Sequence, residues 1–143
     1  MRRYEKLSKI CRKYGVALLY LFGSQQDQGL ALLSGEKCEP RDALSDIDVG
    51  VVIKGGLPPA YPRAKLYARI YNELEELFRP FRLDLTFLQE NHSVFQLEAV
   101  ARGQCVYAES EEFRENYEMS ILRRAADFRW VLEKFYEEKL SEF

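Results

Sequence analysis

Residues 16–22 read VALLYLF, seven apolar positions in a row, and residues 46–53 read DIDVGVVI, apolar after an acidic start. Runs this short and continuous predict buried strands. Residues 82–88, RLDLTFL, alternate instead, with Leu83, Leu85 and Phe87 on one side and Arg82, Asp84 and Thr86 on the other. That is a third strand with one buried and one polar face. Helical spacing fills most of the remainder. Residues 2–14 form an amphipathic helix with Tyr4, Leu7, Ile10 and Cys11 inward, ended by Gly15. Leu66, Ile70, Leu74 and Leu77 recur between residues 61 and 78 until Pro80 stops the pattern. A short helix over 93–101 is closed by Gly103, and 104–108 add an edge strand. A long helix over 110–140 carries Phe113, Tyr117, Ile121, Ala125, Phe128, Leu132 and Phe135 on one stripe, and Met119, Leu122, Ala126 and Trp130 on roughly the opposite side. The second set is more apolar surface than one core contact needs, so it predicts either cover by a neighbouring loop or an interface with another copy or a different protein.

Two stretches interrupt this order. GGLPP, residues 55–59, is a break, and residues 29–45, GLALLSGEKCEPRDALS, lack sustained periodicity. The latter reads as an inserted loop with room for one short helix. The whole predicts an α/β (α+β) domain over residues 1–143, with a small mixed sheet, flanking helices and a long C-terminal helix.

Composition narrows the function. The chain has 143 residues, 47% apolar, and its 21 basic against 23 acidic residues leave a formal charge of -2. It can build a core but generates no global positive field, which argues against direct nucleic-acid binding. The basic residues Arg2, Arg3, Lys6, Lys9, Arg12 and Lys13 fit the solvated face of the first helix. Cys11, Cys38 and Cys105 are widely spaced, which predicts reduced thiols in a cytoplasm. His92, the sole histidine, excludes a His-pair metal site and reads as a surface or helix-start residue. The run over 16–22 is too short to cross a bilayer.

Chemistry is expected where charge stands against propensity. Asp46 and Asp48, two apart at a strand start, project from one face while Ile47 points inward. Their repulsion calls for a cation. Asp84 adds a third carboxylate in mid-strand, where Asp is disfavoured. If these strands are neighbours, the three converge on one polar face, an oxygen donor set suited to Mg²⁺ completed by substrate phosphates. Ahead of them, Gly23 and Ser24 follow the first strand. Gly23 admits a close backbone approach, and Ser24 adds a hydroxyl and an amide near a helix start, where anions are favoured. Singly, Gly-Ser is a common turn and Asp-x-Asp a common solvated strand end. Their order on these elements is more specific.

That assembly of Gly23-Ser24, Asp46-Ile47-Asp48 and Asp84 resembles the nucleotidyltransferase superfamily with a polymerase-beta-like palm. Its length and final helix look most like the minimal nucleotidyltransferases of the MntA type, antitoxins that act beside a helical HEPN ribonuclease toxin. The resemblance implies Mg²⁺, two ions, at Asp46, Asp48 and Asp84, nucleotide phosphates at Gly23 and Ser24, and transfer of AMP from ATP to a tyrosine of the toxin. Two alternatives stay open: a degenerate antitoxin that neutralises its partner by binding, which the apolar surface of the last helix suggests, or a small-molecule transferase of the aminoglycoside-modifying kind, which would need an acceptor pocket. In place of the usual Arg-Ala-Arg-Gly after Gly-Ser, this chain has Gln25-Gln26-Asp27-Gln28-Gly29. The spacer from Ser24 to Asp46 is also about twice the customary length.

Overall fold

The computed structural model describes residues 2–40 and 45–141. Its elements are α1 (Arg3–Tyr14), β1 (Val16–Phe22), α2 (Gln26–Leu33), β2 (Asp46–Ile53), α3 (Ala60–Glu75), β3 (Arg82–Phe87), a 3₁₀ turn (Leu88–Glu90), α4 (Ser93–Arg102), β4 (Gln104–Ala108) and α5 (Glu111–Ser141). The strands form one mixed sheet in the order β3-β2-β1-β4. β1 runs antiparallel to β2 and β4, and β2 runs parallel to β3 through the α3 crossover. A parallel pair needs a connection of this kind, and α3 supplies it.

Strand alternation divides the apolar residues into two unequal cores. On one face Leu19, Leu21, Ile47, Val49, Val51, Leu83, Leu85 and Phe87 pack with Leu7 and Cys11 of α1, Leu32 and Leu33 of α2, and Ile70 and Leu74 of α3. On the other, Leu18, Tyr20, Val52, Leu88 and Ala99 make a smaller core, joined by the half-buried Phe113 and Tyr117 of α5. Gly50 marks the boundary of that second core, because a Cβ there would come within 2.8 Å of the Leu88 side chain. Beyond it, toward the start of β2, Phe22 of β1 meets Phe95 of α4 edge-on, with ring centroids 5.9 Å apart. The acidic residues lie at that end, Asp46 and Asp48 on β2 and Asp84 on β3.

Several expectations are refined. Residues 29–33 of the expected loop are helical, in α2. Residues 34–40 are turn and coil, and 41–44 lie outside the described residues. The helix forms because Gly29 lets it settle on the sheet, where a Cβ would stand 3.1 Å from Leu21 and 3.3 Å from Ile47. Tyr4 faces outward, at 39% exposure. Arg3 departs from the solvated basic face and turns inward, where Nη1 donates to the carbonyls of Leu32 and Leu77, both at 3.1 Å. His92 caps α4, Nδ1 accepting from the Val94 amide at 3.2 Å, and its ring lies against Phe128.

The largest correction concerns α5. Ile121 and Ala125 are buried, but Phe128, Leu132 and Phe135 of the expected inward stripe are exposed, as are Met119, Leu122 and Trp130. The sheet ends before the helix does, so the stripe runs past the core that its first half enters. The first half is held by polar contacts as well as packing. Tyr20 Oη donates to Glu118 at 2.8 Å, Arg114 Nε donates to the same carboxylate at 3.1 Å, and Tyr117 Oη donates to the buried Gln96 at 2.6 Å. No helix among the described residues is long and apolar enough to cross a membrane.

Candidate active site

Ile47 and Val49 are fully buried in the larger core, so the pleat directs Asp46 and Asp48 to the opposite face. On β3 Leu83 and Leu85 do the same for Asp84, which is exposed between them. The parallel register places Asp48 opposite Asp84 and Asp46 opposite Arg82. Neighbouring strands lie about 4.8 Å apart. Two carboxylates in facing positions therefore act on each other's ionisation. Burial, then the side-chain interaction with Asp84, then the charges of Asp84 and Asp46 push the Asp48 carboxyl up to about 6. Among the described residues Arg82 forms no ion pair with Asp84, although both are on this face.

Asp46 contributes a different signal. Its Oδ1 is buried and has no hydrogen-bond partner. An orphaned carboxylate oxygen is costly unless something positive meets it. Together with the facing carboxylates of Asp48 and Asp84, it marks a site whose negative charge is uncompensated by the chain. An all-oxygen donor set of this kind fits a hard divalent cation. Among the described residues no three His, Cys, Asp or Glu side chains are already gathered as a metal cage. The carboxylates share a face rather than a closed shell.

The end of β1 completes the site. Phe22 is in register with Asp48, and the next residue, Gly23, turns the chain at φ 77°. An ideal Cβ on Gly23 would fall 2.2 Å from Asp48 Oδ2. Both the left-handed backbone and the missing side chain are thus needed to bring this turn against the carboxylate. Ser24 is exposed, with Oγ 3.5 Å from Gln25 Nε2, and α2 begins two residues later at Gln26. No side chain caps the α2 start. The fold therefore brings Gly23, Ser24 and the three aspartates to one end of the sheet.

Sequence reasoning missed the other wall. A cavity of about 330 Å³ opens beside Gly23, lined by Phe22 and Gln26 on one side and by Phe95, Glu98, Ala99 and Arg102 of α4 on the other. No periodicity announces this, because it depends on where the end of α4 lands. An apolar cleft of about 390 Å³ between α4 and α5, lined by Leu97, Leu122, Trp130 and Leu132 among others, shares no residue with the carboxylate site.

A strand-turn-helix unit followed by acidic positions on the two adjoining strands, with α4 and α5 on the same face, defines a nucleotidyltransferase palm. Residues 5–112 match the family described as polymerase beta, nucleotidyltransferase, and the chain belongs to that family. Among solved structures it is similar to a chain of a toxin–antitoxin crystallised with AMP-PNP, at 18% identity and a TM-score of 0.63, over 96% of this chain and 98% of that one. It is also similar to a chain of the toxin–antitoxin MntA-HepT, at 16% identity and 0.60, over 96% and 97%. A third likeness is to a chain of a tri-AMPylated Shewanella oneidensis HEPN toxin in complex with MNT antitoxin, at 17% identity and 0.61, over 96% of both chains. At these identities the likeness establishes the fold. No curated protein sequence matches.

Proposed function

We propose that the chain is a Mg²⁺-dependent nucleotidyltransferase that moves AMP from ATP to a hydroxyl of a HEPN-type protein toxin, and so acts as its antitoxin. The observation that carries this reading is the placing of Gly23 against Asp48, in register with Asp84 and two residues from the orphaned Asp46. Asp46, Asp48 and Asp84 would hold Mg²⁺, which when bound neutralises phosphate charge and stabilises the attacking and leaving oxygens. The chain's own groups do the rest. Gly23 and Ser24 offer backbone amides and a hydroxyl to the phosphates. Asp84, the more open member of its pair, receives the proton of the acceptor hydroxyl as that oxygen bonds to the α-phosphorus. The bond from the α-phosphorus to the β-bridging oxygen breaks, and pyrophosphate leaves. Positioning and charge supply most of the rate in such transfers.

A protein acceptor is supported by α5, whose exposed Phe128, Leu132 and Phe135 continue an otherwise buried stripe. It is supported too by the similar fold found in complex with a HEPN toxin. The test is calorimetry with ATP, with and without Mg²⁺, on the native chain and on Asp46→Ala/Asp48→Ala. Metal-dependent binding that vanishes in the double variant is expected. Equal binding by both proteins would refute the site.

One feature favours a second reading, an antitoxin that works by contact alone: the turn over residues 24–29 holds no cation and one carboxylate, Asp27. That reading requires Asp46→Ala and Asp84→Ala to leave toxin neutralisation intact in co-expression.

A further inference from the structure

The cavity beside Gly23 answers the missing charge. A polyphosphate seated on Gly23 and Ser24 would meet Gln25, Gln26 and Asp27, none of them positive. The opposite wall of the cavity carries Arg102, the last residue of α4. Its backbone is pinned from two sides. Gln26 Nε2 donates to the Arg102 carbonyl at 3.0 Å, so a residue of the uncharged turn itself holds the arginine in place. The next residue, Gly103, lies so close to the end of β1 that a Cβ there would fall 2.5 Å from the Leu21 carbonyl and 3.0 Å from Phe22 Cβ. The guanidinium, by contrast, is largely exposed. Its Nε pairs with Glu98 at 3.2 Å, but both side chains are mostly exposed, at 80% and 57%. Such a pair is weak and readily exchanged for a stronger one. A guanidinium forks onto phosphate oxygens as a bidentate donor, which an ammonium cannot reproduce.

We infer that Arg102 is the phosphate-binding cation of this site, supplied across the cavity from α4 in place of a cation in the turn after Gly23-Ser24. The inference rests on the nucleotidyltransferase reading for the identity of its ligand, a nucleoside triphosphate. It makes Arg102 a binding residue for the donor's phosphates and Gln26 a positioning residue that acts through the Arg102 carbonyl.

The experiment is calorimetry on the full chain with three probes, each with Mg²⁺: ATP, inorganic tripolyphosphate and adenosine. Arg102→Ala should weaken ATP and tripolyphosphate about tenfold or more, the worth of a lost hydrogen bond to a charged group. Adenosine should be unaffected. Arg102→Lys should restore part of the loss, and Glu98→Gln, which releases the guanidinium, should tighten both phosphate probes. Unchanged ATP affinity in Arg102→Ala overturns the inference, as does an equal loss for adenosine, which would make the arginine a structural residue or one that meets the base. Native protein that binds tripolyphosphate through Arg102 but not ATP would sink the nucleotidyltransferase reading and keep the phosphate site. Native protein that binds neither would remove both.

Discussion

Asp48 stands where the molecule holds charge against its own preference. Its pKa rises from an ordinary 3.8 to about 6 on folding, through burial and then its side-chain interaction with Asp84. A carboxyl raised in the folded state binds a proton there that the unfolded chain has already released. Its stabilising contribution is therefore full below about pH 4 and is lost as pH rises through about 6. The metal-free protein should lose melting temperature across that window relative to Asp48→Asn, and at pH 7.5 the variant should melt higher by about 2 °C or more. Thermal melts of both proteins from pH 4 to 8 check this. Mg²⁺ should close the gap at pH 7.5 by stabilising the native protein alone. At this scale Gly23, Ser24 and the three aspartates were legible in the sequence, because strand parity fixes the face of Asp46, Asp48 and Asp84 once the strands adjoin. Arg102 was not, since an exposed arginine at a helix end acquires meaning only from what stands across the cavity.

Among the elements, those bounded by strong local chemistry were also legible. Gly15 ends α1 and the alternation of β3 admits one register of faces, whereas α3 ends at Glu75, ahead of Leu77 and of the Pro80 expected to stop it. The strand order was not, because β2 pairing with both β1 and β3 is a choice among apolar strands that no local pattern decides. A helix start near Ser24 was legible, but its run through residues 29–33, read as loop, was not, for a related reason. Residues 26–33 have little amphipathic contrast, and packing of Gly29 on Leu21 and Ile47 makes the helix. The junction of α4 and β4 is the tightest of these contacts. A Cβ on Gly103 would stand 2.2 Å from the Ala99 carbonyl and 2.5 Å from the Leu21 carbonyl, both backbone atoms that cannot swing away. Gly103→Ala should cost on the order of 2 kcal/mol, as expected for forced overpacking, and urea unfolding measures it. A loss below about 0.5 kcal/mol would show that the junction relaxes freely.

For the whole molecule, the division of labour follows the two cores. The larger one anchors the strands that carry the aspartates, while the smaller one docks only the first half of α5. Leu132 and Phe135, exposed at 37% and 50%, should be replaceable without unfolding the chain. Leu132→Glu/Phe135→Glu is expected to shift unfolding free energy by no more than about 0.5 kcal/mol per site, as surface changes do. It should abolish association with the proposed toxin partner in native mass spectrometry. A melt lowered by many degrees would mean instead that the stripe serves this chain's own fold.

Beyond Phe128, whose ring meets His92, α5 continues to Ser141, roughly 20 Å at 1.5 Å per residue. A segment of that length owes its helicity to the docked turns before it, which spare it the nucleation step, and to propagation that is nearly neutral in free energy. Such an end unwinds from its tip, turn by turn, rather than in one transition with the core. Whatever covers Leu132 and Phe135 therefore also suppresses that fraying, so association here carries a conformational-entropy cost and adds helical content to this chain as it forms.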